Sequence, residues 1–350
     1  MLIWLIILFA VCVYKSKFSR FNQDYIAYKQ SNANKGICAA LILFSHLFQY
    51  ITPMTLSDRL CNTILSVIGQ LMVALFFFYS GYGIHQKALR DKEVTYFNTF
   101  FEKRIVKTLV KFDAALLLYI LLNVSLSIHY PVSSYIWCWI GLGNIGNSSW
   151  FVFAILLLYA VTLLVFKKSK EKQSYKPIAL ITGITLLYCG VFRLSQSGTW
   201  WYDTILCFPF GMFFSLYQEK IEKIIKKKYY LAFLAMLFTL SALYFLKSKV
   251  TYWFFLPMAV VFCMLIIVIN MKITVHNSVL IWLGNHSFSI FILQRIPMII
   301  LSEKNFTDNN MLFSLISVAA TLLLAQIFDV IFDAVYKRIT LAKTKTTIAH

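Results

Sequence analysis

Charge is scarce in this chain, and acidic charge is scarcer still. Only 13% of the 350 residues are Asp, Glu, Lys or Arg, with 14 acids against 33 Lys plus Arg. A soluble globular domain is nearer a quarter charged and about half apolar. Here 60% of residues are hydrophobic and the mean hydropathy is +0.72. A soluble domain of ordinary composition is therefore excluded, and a polytopic membrane protein is expected. Repeats and low-complexity linkers are absent as well, which leaves one membrane domain and no separate soluble one. Paired cysteines are also lacking. The seven present (Cys12, Cys38, Cys61, Cys138, Cys189, Cys207, Cys263) form no CxxC motif and no metal-ligand spacing. They read as small core hydrophobes, and no metal site is expected.

The net charge of +19 invites a nucleic-acid partner, but the cations fall in short loops between apolar runs. Loops of that kind orient a membrane protein, so no nucleic-acid partner is expected. The first apolar run, Leu2 to Tyr14, lacks a positive leader and a small-residue cleavage site, and reads as a retained helix rather than a signal peptide. With about twenty apolar residues as the yardstick for a crossing, about eleven spans are predicted. They cover residues 2–14, 35–52, 60–83, 109–128, 150–166, 177–194, 202–217, 229–246, 252–270, 279–301 and 311–335.

Under that count the basic loops all fall on one side. Lys15, Lys17 and Arg20 follow the first span, and Lys87, Arg90, Lys103, Arg104 and Lys107 follow the third. Lys167 and Lys168 follow the fifth, Lys226 to Lys228 the seventh, and Lys337 and Arg338 close the chain. The positive-inside rule then puts the N-terminus outside and the C-terminus in the cytoplasm.

The run Lys35 to Tyr50, KGICAALILFSHLFQY, organises the rest. An ionisable residue inside a span is expensive, so the default reading of His46 is functional. Lys35 and His46 lie close to three helical turns apart, on one face and roughly 16 Å along the axis. That suits a long ligand with its anionic end at Lys35 and its reactive end at His46. Phe101 to Lys111, FEKRIVKTLVK, is a basic amphipathic helix start, either an orientation signal or a phosphate clamp in which Arg104 forks onto phosphate oxygens. The outer loop His129 to Ser149 is rich in Gly and Asn. Asn147, Ser149 and Trp150 at its end suit either interfacial anchoring or a sugar. Arg193 and Asp203 flank another short outer loop; they pair across it, or Asp203 binds the sugar. Gln294 and Arg295 sit within the tenth span, where an arginine must face a polar interior unless it snorkels to the surface. His286, nearer the other end of that span, is less informative.

These residues together resemble the acyltransferase 3 family of integral membrane acyltransferases, over most of the chain from about Lys35 onward. The family pattern has a cation, ten intervening residues and a histidine, here Lys35 and His46. Most members carry arginine first; lysine keeps the charge and loses the bidentate fork. Ser80-Gly81-Tyr82 matches an SGF-like element, Lys103-Arg104 a basic pair, Trp150-Phe151 a span start, and LGNHSFS an LGK-S-Y element. Many members have a later histidine where this chain has Gln294-Arg295. NANKGI, FSH and LQRIP are most similar to capsule and exopolysaccharide O-acetyltransferases of Gram-positive bacteria.

The resemblance implies an all-α helix bundle with a core of about ten spans, to which the N-terminal helix adds one. It implies residues 1–34 as N-terminal helix and basic loop, 35–335 as the acyltransferase domain and 336–350 as a basic tail. It also implies acetyl-CoA as donor and a polysaccharide or lipid-linked glycan hydroxyl as acceptor. Lys35, Ser80, Gly81, Tyr82, Lys103 and Arg104 would hold the donor, and Asn147, Ser149, Trp150 and Asp203 the acceptor. His46 would be general base or transient acetyl carrier, with Gln294 and Arg295 steadying charge. A succinyl donor, a lipid-linked-sugar flippase and a membrane sensor without chemistry are the rival readings; only the enzyme accounts for the lysine-to-histidine phase.

Overall fold

The structure is a computed structural model. It describes residues 2–53, 55–90, 95–169, 173–275 and 277–348, with side chains of 95, 252 and 341–348 not described. Helix dominates throughout. In order these are α1 (Leu2–Val13), α2 (Tyr28–Leu47), α3 (Leu56–Arg90) and α4 (Thr95–Phe100), then a π-helical stretch Phe101–Val106 leading into α5 (Lys107–Ser125). There follow α6 (Val132–Cys138), α7 (Trp150–Lys168), α8 (Tyr175–Leu194), α9 (Cys207–Lys227), α10 (Tyr229–Lys249) and α11 (Phe255–Asn270). The chain ends in α12 (Ser278–Asn285), α13 (Ser287–Leu293), α14 (Arg295–Glu303) and α15 (Asn310–Ile348). Two short strands, β1 (Lys17–Phe18) and β2 (Ile273–Thr274), pair antiparallel.

A helix lies over each predicted apolar run. Five of them, α3, α7, α8, α10 and α15, are long and apolar enough to cross a bilayer by themselves. The predicted tenth span is not straight: α12 and the helix that continues through α13 and α14 meet at His286 at 58°, and together they make a sixth candidate crossing. α1 and α11 are shorter apolar helices. α2 departs from a simple lipid-facing span because Gln30, Ser31, Asn32 and Asn34 are buried along it, as befits a helix inside a bundle. It begins at Tyr28, upstream of the expected 34/35 boundary, and α15 runs unbroken through 335/336.

Glycines set the closest helix contacts. Without a hydrophobic drive between helices in lipid, tight backbone approach does the joining. Gly81 on α3 lies against the Phe208 backbone of α9, and Gly211 on α9 lies against the Phe78 backbone of α3. Gly36 on α2 and Gly284 on α12 do the same across their pair, against Leu280 and Asn32. A Cβ at any of the four would strike a main-chain atom. The buried apolar residues form two clusters, and α2 lies at their seam, with Cys38 and Ile42 in one and Ala39, Leu43 and Leu47 in the other. That position puts the Lys35 face of α2 toward the interior. α10 buries no residue; its exposed Leu231, Leu234 and Phe238 form a peripheral apolar face.

α1 is fastened to the bundle at several points. Asn277 caps α12, accepting from Leu280 N at 3.0 Å, and donates through Nδ2 to the carbonyls of Val11 and Tyr14. Trp4 Nε1 donates to Ser314 Oγ of α15 at 3.0 Å.

Candidate active site

A cavity of about 860 Å³ opens between the ends of α2, α3, α5 and α9. Its mouth is basic. Lys87 and Arg90 come from the last turn of α3, Lys103 and Arg104 from the π-helical stretch, and Lys107 and Lys111 from α5. The wider turn of a π-helix commonly marks a functional position, and here it carries both members of the predicted basic pair. Lys35 lines the cavity from the α2 side. Farther in, Ser80 Oγ meets Tyr159 OH at 2.8 Å and Tyr82 OH donates to Gln218 Oε1 at 2.8 Å. Gln218 also donates to Tyr25 OH and to Glu222, and Tyr25 OH donates to Glu222 at 2.6 Å. Burial, then the Glu222 carboxylate, holds the Tyr25 phenol above its ordinary range, so it stays a neutral donor behind Gln218. The far end is apolar: Ile42, Val73, Phe76, Phe151, Ile155 and Phe291.

His46 stands one helical turn past Ile42 on the same face of α2. Its Nδ1 is buried without a hydrogen-bond partner, and so is Oε1 of Gln294. Gln294 lies beside His46, and the Arg295 charge is within reach of the imidazole. The Gln294 side chain is within hydrogen-bonding reach of the imidazole, so these two buried polar groups have chiefly each other for company. Arg295 is held by neutral oxygens: Nε donates to Ser148 Oγ at 3.0 Å, one terminal nitrogen to Gln49 Oε1 at 2.5 Å and the other to Tyr50 OH at 3.5 Å. The guanidinium is thus oriented without a carboxylate bonded to it.

The structure therefore brings Lys35, Ser80, Tyr82, Lys103 and Arg104 to one cavity, and Gln294 and Arg295 to His46. Gly81 is placed elsewhere; it faces α9 and serves the helix contact. In the outer loop Asn147 Oδ1 accepts from Ile145 N at 3.0 Å and Ser149 Oγ donates to the Gly143 carbonyl at 2.5 Å, so both shape the loop, while the intervening Ser148 reaches Arg295. Trp150 is half-buried with its ring edge-on to Phe151. Asp203 is 1% exposed and accepts from Gln70 Nε2 at 2.7 Å. The Arg193–Asp203 alternative gives way to a guanidinium lying 4.4 Å from the Trp253 ring centre. In the sequence Lys87 and Arg90 read as loop charges and Lys107 and Lys111 as part of the basic amphipathic helix start, none of the four being named as a donor contact. The recurrence Arg104, Lys107, Lys111 at three- and four-residue steps was the available sign of a single helical stripe.

One ionic cluster lies beside the cavity. Asp329 of α15 binds Lys111 at 2.5 Å, accepts from Ser289 Oγ at 2.5 Å, and is joined to His286 Nδ1 at the bend between α12 and α13. One turn along, Asp333 pairs with Lys107 at 3.1 Å. Among the described residues no group of His, Cys, Asp or Glu is arranged to hold a metal.

No curated protein and no solved structure matches the chain. A family model described as an acyltransferase domain matches residues 29–330, from the first turn of α2 into α15 and across the helices that line the cavity. The chain belongs to the acyltransferase 3 family of membrane acyltransferases.

Proposed function

We propose that the protein is a membrane O-acetyltransferase, moving an acetyl group from cytosolic acetyl-CoA to a hydroxyl of a cell-surface polysaccharide or its lipid-linked repeat unit. The observation that carries this reading is one basic-mouthed, apolar-ended cavity whose wall residue Ile42 lies one turn of α2 before the buried His46–Gln294 pair. The cations of the mouth suit the phosphates of a nucleotide-bearing donor. The positive-inside rule sets that mouth toward the cytoplasm, the N-terminus outside and the C-terminus within. The apolar interior suits an extended thioester arm. His46 removes the proton of the sugar hydroxyl as its oxygen attacks the acyl carbon. The carbon–sulfur bond breaks as the carbon–oxygen bond forms, and the proton ends on the departing thiolate. Arg295, held in place by Ser148, Gln49 and Tyr50, steadies the oxyanion.

The test compares glycan O-acetyl content by NMR in cells carrying the intact protein and His46→Ala. Loss of the acetyl signals with the variant still present in the membrane is the expected result. Retention of the signals removes His46 from the chemistry, and the reading with it.

A further inference from the structure

The far end of the cavity is closed by three aromatic rings from three different helices. Phe151, at the start of α7, sits 6.2 Å from Phe76 of α3 and 5.4 Å from Phe291 of α13, centre to centre, both edge-on. All three line the cavity. The remaining walls at this depth are Ile42, Val73 and Ile155. Counting along α3 from Lys87 at the mouth to Val73 gives 14 positions, or about 21 Å. The rings therefore stand at the end of a long arm's reach from the cations, at the level of the turn that precedes His46.

We infer that Phe76, Phe151 and Phe291 form the acyl seat and restrict the donor to a short, uncharged acyl group. This rests on the donor assignment proposed above. Two physical reasons carry it. First, edge-to-face rings packed on one another leave little room beyond a thioester carbonyl, and added methylenes meet a packed wall. One methylene too many in such a seat changes selectivity by roughly 10- to 200-fold. Second, the side chains that line this end, Ile42, Val73, Phe76, Phe151, Ile155 and Phe291, carry no polar group, and the nearest hydroxyls are already engaged. Tyr79 OH accepts from Asn34 Nδ2 at 2.7 Å and Ser80 is engaged by Tyr159 at 2.8 Å. The carboxylate of a dicarboxylic acyl group would be left unpaired there, which disfavours it.

The experiment uses the full chain in lipid nanodiscs and follows thiol release from acetyl-, butyryl- and succinyl-CoA in the presence of a hydroxyl acceptor. The intact chain is expected to favour acetyl over both others. Phe151→Ala should raise the butyryl-to-acetyl ratio by at least about tenfold, with succinyl still poor. Phe76→Leu, a gentler change that removes less volume, should move the ratio the same way by less. An intact chain that releases thiol from acetyl-CoA but shows an unchanged ratio in both variants overturns the acyl seat alone. An intact chain that uses succinyl-CoA as well as acetyl-CoA does the same. An intact chain that releases thiol from none of the three overturns the donor assignment, and the seat falls with it.

Discussion

Lys35 and His46 lie along one face of α2, the first in the wall of the cavity and the second one turn past its end. A group that binds the donor equally in ground and transition states affects KM alone. Lys35→Ala should therefore raise the donor KM with kcat little changed, and Lys35→Arg should restore it; steady-state kinetics over donor concentration checks both. Arg295 is different. Its three hydrogen bonds fan to Ser148, Gln49 and Tyr50, a planar arrangement that an ammonium cannot copy. Arg295→Lys should lower kcat by roughly 10²- to 10³-fold with the donor KM nearly unchanged, as expected for loss of an oxyanion partner. The Lys35–His46 relation was legible in the sequence because both residues ride one helix, where phase follows from the count. Ser148 was not. It lies between Asn147 and Ser149 in a loop turned by Gly146 at φ +98°, a backbone region open to glycine, and that turn decides which neighbour points inward.

At the level of elements, two acidic residues one turn apart on α15 meet two lysines one turn apart on α5, yet the two pairs are unequal. Lys107–Asp333 is exposed, at 43% and 61%, whereas Lys111–Asp329 is at 16% and 10% and shares its carboxylate with His286 and Ser289. Removing one partner of a buried pair leaves a stranded charge and costs about 3–5 kcal/mol, against at most about 1 kcal/mol for an exposed pair. Asp329→Ala should thus lower the thermal transition of the detergent-solubilised protein sharply, and Asp333→Ala should barely move it. The sequence showed His286 and Asp329 as isolated polar residues in apolar runs. Their pairing spans 43 positions and a bent helix, and no local period encodes it. Gly81 teaches the converse. Its place in a motif suggested a ligand contact, but its surroundings are the α9 backbone, so Gly81→Val should split α3 from α9 and reduce folded yield rather than alter donor KM.

Across the whole molecule, seven cations line a single cavity in a chain of net charge +19. Attraction of a polyanionic donor to such a mouth is screened by salt, with a Debye length of about 10 Å at 0.1 M and about 3 Å at 1 M. Raising ionic strength over that range should increase the donor KM progressively and leave kcat largely intact, which donor titrations at several salt concentrations would show. The all-helical architecture was readable because runs of apolar residues and one-sided loop charge are global signals. The break at His286 was not, since the Asp329 contact that holds the bend comes from 43 positions downstream. The fastening of α1 has a bearing on assembly. Its hydrogen-bond partners include Asn277 and Ser314, the latter 310 positions downstream of Trp4. A nascent protein halted before α15 would therefore hold every wall of the cavity and the α2 and Asn277 contacts of its leading helix, yet lack the one tether that ties that helix to the end of the chain.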